Sequence, residues 1–118
     1  MVKITGSRDC GNSPKNQFSQ DVGIALATGE FPPDMLSEGV TWTRSHGTPL
    51  EGRGSVQRAV SEQPAVSAVI VEHAISHGKV GMANGIMILT DGLHKRFSHV
   101  FEFTSTKGNC IAAINSYG

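Results

Sequence analysis

From Pro64 onward the chain is a succession of β-periodic segments cut by turn signals, and this pattern most limits the folds open to it. Val66 to Ser76, Val80 to Thr90, Lys95 to Thr104 and Cys110 to Ser116 read as four strands rich in β-branched and aromatic residues. His77-Gly78-Lys79, Asp91-Gly92 and Lys107-Gly108-Asn109 separate them with turn chemistry. Connections this short join antiparallel neighbours, because a parallel return needs a crossover of about a dozen residues or more. A hairpin-rich, antiparallel sheet follows.

The first half has a different period. Residues 1–13 carry Gly6, Gly11, Asn12 and Ser13 with little periodicity, and are expected as a loosely packed arm ahead of one domain from 14 to 118. Ser13 suits the N-cap of a helix and Pro14 its first turn, and Gly29 suits its end. Phe18, Val22, Ile24 and Leu26 with neighbouring alanines supply the apolar side. Pro32 to Ser37 is expected as a short second helix closed by Gly39, and Val40 to His46 as a first strand. The loop Gly47 to Gly54 leads to a third helix over Ser55 to Glu62. Helices followed by a hairpin-rich sheet predict an α+β fold, with N-terminal helices packed on a mainly antiparallel sheet.

Composition removes several functions. Lys plus Arg and Asp plus Glu balance at 10 each, so no basic field exists to hold nucleic acid or an anionic membrane. Apolar runs such as Ala68 to Val71 are too short to span a bilayer, and the N-terminus lacks an apolar signal region. Cys10 and Cys110 show no metal-ligand spacing and are expected as reduced thiols of a cytoplasmic protein; a bridge from the arm to the last strand is the alternative.

One strand carries the functional question. At a two-residue period, Phe97, His99, Phe101 and Phe103 share one face, while Arg96, Ser98, Val100 and Glu102 share the other. Three of the five phenylalanines thus flank a single imidazole. Such an imidazole is either a satisfied core group or a proton-transfer or ligand-binding group in an apolar pocket. Two other patterns carry less. His73 and His77 would chelate a metal on a helix, but on a strand their Cα atoms stand about 13 Å apart, at roughly 3.3 Å per residue, so no metal is expected. In Gly52-Arg53-Gly54 the third glycine of a dinucleotide fingerprint falls at Gln57, and a tight turn explains the pair better.

The order of elements, together with Val40-Thr41-Trp42, the helix from Ser55 to Val60, Val80 to Gly85, Phe97 to Phe103 and Ile111 to Tyr117, resembles the nuclear transport factor 2-like superfamily over residues 14–117. The resemblance implies a curved sheet wrapped as a cone around an apolar pocket, with the convex face pairing two subunits and Ser98, Val100 and Glu102 as candidate dimer surface. Set on the ketosteroid isomerase pattern, His99 falls where the oxyanion-stabilising acid sits, Arg44 near the general-base aspartate, and Tyr117 near a pocket aromatic. The hydroxyl donor of the first helix has only Val22 or Phe18 at its place. No carboxylate occupies either acidic position, and the arginine–aspartate pairs of epoxide hydrolases have no counterpart.

The implied function is binding of a small apolar organic molecule, with cofactor-free acid–base chemistry of the isomerase, cyclase, dehydratase or hydrolase kind. His99 would transfer a proton or polarise, and Arg44 would orient the ligand or neutralise an oxyanion. Phe18, Val22, Trp42, Phe97, Phe101 and Tyr117 would shape the walls, His46 would lie near the rim, and Asn84 and Asn115 are polar groups that strand parity could direct inward. The competing expectation is a non-catalytic ligand-binding or interaction module in which His99 is structural.

Overall fold

The computed structural model describes residues 1–117. The turn signals after Pro64 produce three successive hairpins from strands β4 (Val66–His77), β5 (Val80–Leu89), β6 (His94–Phe103) and β7 (Ile111–Tyr117). Ahead of them come β1 (Lys3–Thr5), helix α1 (Pro14–Thr28), β2 (Leu36–Thr43), β3 (Leu50–Glu51) and helix α2 (Arg53–Ser61). All seven strands belong to one sheet in the order β1-β4-β5-β6-β7-β2-β3. β1 joins β4 and β2 joins β7 in parallel; the other pairings are antiparallel. The result is an α+β cone: two helices on one face of a curved, unclosed sheet.

α1 forms as its ends dictate. The Ser13 side chain accepts from the Asn16 N–H at 3.2 Å, and Gly29 closes the helix in the left-handed region at φ 83° while donating to the Ala25 carbonyl. The helix lies across β4 and β5, and α2 lies on β2 and β3. Val22, Ala25 and Leu26 of α1 and Val56 and Val60 of α2 meet Val69, Val71, Ala83, Phe101, Phe103, Ile111 and Ile114 of the sheet in one core. Phe101 and Phe103 are its largest fully buried side chains. Truncating either to alanine would remove about 3–5 kcal/mol.

Missing side chains let the sheet curl onto α1. A methyl on Gly81 would sit 2.6 Å from Phe103 Cζ and against Ser19 Oγ. One on Gly85 would run into the Ile70 carbonyl and lie 3.0 Å from Phe97 Cζ. The β4–β5 register shifts between Val71 and His73, opposite Gly85 and Asn84, and such an irregularity bends and twists a strand.

Four expectations need correction. Pro32 to Ser37 is not a helix: Asp34 takes a left-handed φ of 67°, and β2 begins at Leu36 against Ile111. The prolines force their predecessors into extended backbone, and six residues nucleate a helix poorly beside an available strand edge. β2 therefore starts earlier than expected and stops at Thr43, leaving Arg44 to His46 outside it. The loop from Gly47 to Gly54 contains the short strand β3, paired to Thr41 and Trp42. The segment expected as a loose arm supplies β1 and the buried Cys10, which lies 3.4 Å from Gln20 Oε1; both cysteines are free.

Gly85→Ala should lower stability by about 2 kcal/mol or more, because the obstructing atom belongs to backbone. Gly54→Ala, at an exposed position of α2 with open space around it, should be neutral or stabilising by up to about 1 kcal/mol. Urea unfolding of both variants checks the contrast; equal midpoints would remove the close β4–β5 approach as the source of curvature.

Candidate functional site

The alternation expected for β6 is present. Phe97, His99, Phe101 and Phe103 are buried on the helix-facing side, and the residues between them are not. His99 is 8% exposed and lies between two rings, 5.4 Å from the Phe97 centroid and 6.0 Å from that of Phe101. Burial makes charging it expensive and pushes its pKa down to about 4, so the imidazole is neutral at neutral pH.

Its neighbours select a tautomer. The β6–β7 register sets His99 opposite Ser116, and Nδ1 lies 2.6 Å from Ser116 Oγ. The same oxygen accepts from Trp42 Nε1 at 2.7 Å. An indole N–H can only donate, so the Ser116 oxygen receives it and the hydroxyl proton is free to go to Nδ1. With the hydroxyl as donor to Nδ1, the imidazole proton sits on Nε2, which has no partner among the described residues. Three adjacent strands thus make a relay from Trp42 through Ser116 to an outward-offered N–H.

That ring borders an open cleft of about 420 Å³. Trp42, Met87 and Phe97 give it apolar walls, and Arg44, Ser45 and His46 reach it from the segment after β2. Gln63 and Lys95 also line it. The Arg44 guanidinium lies 5.4 Å from the Trp42 ring, and Nη2 donates to the Thr48 carbonyl at 3.4 Å; its buried Nε is without a partner. No aspartate or glutamate borders the cleft among the described residues.

Of the residues singled out in the sequence, His99, Arg44, Trp42, His46, Phe97 and Tyr117 come together here. The others do not. Phe18 packs against Phe103, ring centroids 6.1 Å apart, and Val22 and Phe101 are fully enclosed core. Asn84 and Asn115 pair with Ser98 and Val100 and therefore lie on the far face of the sheet. Tyr117 pairs with Ser98 on that same far face, is 60% exposed, and reaches the cleft only at its border. The parity of these three follows from the β6 register, which an isolated strand does not reveal. Ser116, Met87, Lys95 and Gln63 escaped the sequence-based expectations. A hairpin centred between Lys107 and Gly108 would have set Ser116 opposite His99.

Two other regions lack this chemistry. A depression of about 470 Å³ beside the N-terminus is lined by Met1, Ile4, Ile24 and Met35, with only Asp21 and Glu30 as charged groups. His73 Nδ1 meets Asp9 Oδ2 at 3.0 Å, and that oxygen also accepts from the Ala74 N–H at 3.1 Å. The bond from His73 chiefly holds the Asp9 carboxyl below its ordinary pKa, which ties the segment before α1 to β4.

No protein-family model matches this sequence, and no curated protein matches it. Solved structures are similar in shape. A nuclear transport factor 2-like protein of unknown function from Mesorhizobium loti superposes with a TM-score of 0.68 at 15% identity, over 97% of this chain and 98% of that one. One from Burkholderia xenovorans gives 0.70 at 17% identity, over 87% and 81%. A candidate ketosteroid isomerase from Kribbella flavida gives 0.70 at 14% identity, over 86% and 75%. The chain has the nuclear transport factor 2-like fold. No helix among the described residues is long and apolar enough to cross a membrane.

Two outcomes follow from the relay. An unfolded histidine titrates near its ordinary 6.5, whereas His99 in the fold titrates at about 4. Between these values the unfolded chain binds the extra proton, so stability falls as pH drops from about 6.5 toward 4 and is unaffected above. The loss is on the order of 3 kcal/mol. Denaturant midpoints across that window should show a smaller loss for His99→Gln than for the wild type. Ser116→Ala leaves the Trp42 N–H unpartnered, and should cost about 1–3 kcal/mol by the same measurement.

Proposed function

We propose that this protein binds a small apolar organic molecule in the cleft and polarises its carbonyl or hydroxyl oxygen with the His99 Nε2–H. The observation that carries this reading is the Trp42–Ser116–His99 relay, which supplies a neutral imidazole with its donor on the unpartnered side. A fixed donor in a half-buried site stabilises charge that builds on an oxygen, without having to reorganise. A cleft of a few hundred cubic ångströms with Trp42, Met87 and Phe97 set among polar and basic side chains suits a small organic ligand that carries a polar group.

The same geometry limits the chemistry. Removing a proton from carbon needs a base, and no carboxylate borders the cleft among the described residues. With Nδ1 occupied by Ser116 and Nε2 protonated, His99 is an electrophile and not a base. Among cofactor-free isomerase, cyclase, dehydratase and hydrolase reactions, those driven by polarising an oxygen fit; a steroid-isomerase proton shuttle between carboxylates does not.

The far face of the sheet supports pairing of two copies. Ile75 and Val80 are 52% and 47% exposed there, and Met82 and Val100 stand beside each other at its centre. An apolar, unpartnered sheet surface of this kind favours association. If the protein is only a dimerising module, this face is its working surface and His99 a core group.

The chain has one tryptophan, so its indole N–H gives one resonance that reports on the cleft. Titration with the uncharged ketone 2-acetonaphthone should shift it, and His99→Gln should weaken binding about tenfold, near 1.4 kcal/mol. An unmoved indole resonance would leave the dimerising module as the better reading. Val100→Glu should convert a dimer to a monomer in sedimentation velocity while leaving that shift in place.

A further inference from the structure

We infer that the ligand of this cleft is an apolar acid, its carboxylate held at the rim by Arg44 and Lys95 while its apolar body lies against Trp42, Met87 and Phe97. This rests on the ligand-binding reading above and names the class of molecule.

The chain as a whole has no net charge, with 10 basic and 10 acidic residues. Its cleft is different. Arg44, His46, Lys95 and Arg96 border it, and no acidic side chain does so among the described residues. Arg96 is already engaged on the far face, where Nη1 lies 3.4 Å from Glu72 Oε1. Arg44 and Lys95 have no ion-pair partner among the described residues. Arg44 is also fixed in place: Trp42 lies under its guanidinium and the Thr48 carbonyl takes Nη2, which leaves Nη1 without a partner. A planar guanidinium held this way is prepared to receive a carboxylate. Lys95 shares strand parity with Phe97 and His99, so its ammonium stands on the cleft side of β6.

Unpaired cations of one sign around a partly apolar hollow concentrate the field there and draw in anions. Among the described residues of the lining, no acidic side chain would repel a carboxylate or pair with a cationic ligand. The His99 N–H then serves the acid's second polar group, or the carboxylate itself in a shorter ligand.

Naphthalene-2-carboxylate and naphthalene-2-carboxamide differ chiefly in charge, and calorimetric titration of both against the whole chain tests the inference. The carboxylate should bind about tenfold more tightly, and raising the salt concentration should weaken it while leaving the amide unchanged. Lys95→Gln, at an exposed position, should weaken the carboxylate about threefold and not the amide, and Lys95→Arg should restore it. Equal affinity for the two probes would overturn the acid and leave an uncharged ligand in the cleft. If neither binds and the Trp42 indole resonance does not move, the ligand-binding reading itself falls.

Discussion

The close approach of α1 to the sheet is the constraint on which the rest depends. A helix can lie across β4 and β5 only where the strands present little bulk, and Gly81 does so against Ser19 of α1, while Gly85 lets β5 crowd the Ile70 carbonyl of β4 beside the irregular register at Val71. Gly23 answers from the helix, where a methyl would sit 3.1 Å from the Ala83 side chain. The curl this allows brings β6 and β7 round to β2, which carries Trp42 near its end and is followed by Arg44.

Within that frame, His99 is a consequence of register. Trp42 pairs with Ile114 and His99 with Ser116, so the indole and imidazole approach one hydroxyl from the two strands that flank β7. Each of the three groups would be costly to bury alone. Joined, they satisfy one another and leave a single N–H to spare. Burial depresses the imidazole's basicity and the hydroxyl settles its tautomer, so both act in the same sense.

The hairpin half of the chain was legible because turn chemistry and two-residue alternation agree there: β4 to β7 lie within a residue or so of where the turns put them. α1 was legible from Ser13, Pro14 and Gly29. The segment around Pro32 was not, since its fate is decided by the Ile111 edge of a strand some 75 residues away. The site divides along the same line. His99, Phe97 and Trp42 follow from parity inside one strand. Asn84, Asn115 and Ser116 depend on how strands are staggered, and a single strand's pattern carries no information about its neighbour's register. Arg44, expected from the ketosteroid isomerase pattern, lies at the cleft just past the end of β2.

Burial alone holds the His99 pKa down and keeps the imidazole neutral. An acid entering the cleft would reverse part of this, because its carboxylate would favour the imidazolium. Binding and proton uptake would then be linked: an acid seated in the cleft would raise the pKa of His99, and its affinity would rise as the pH falls. The described lining holds no carboxylate, so the negative charge that would act on His99 is the ligand's own.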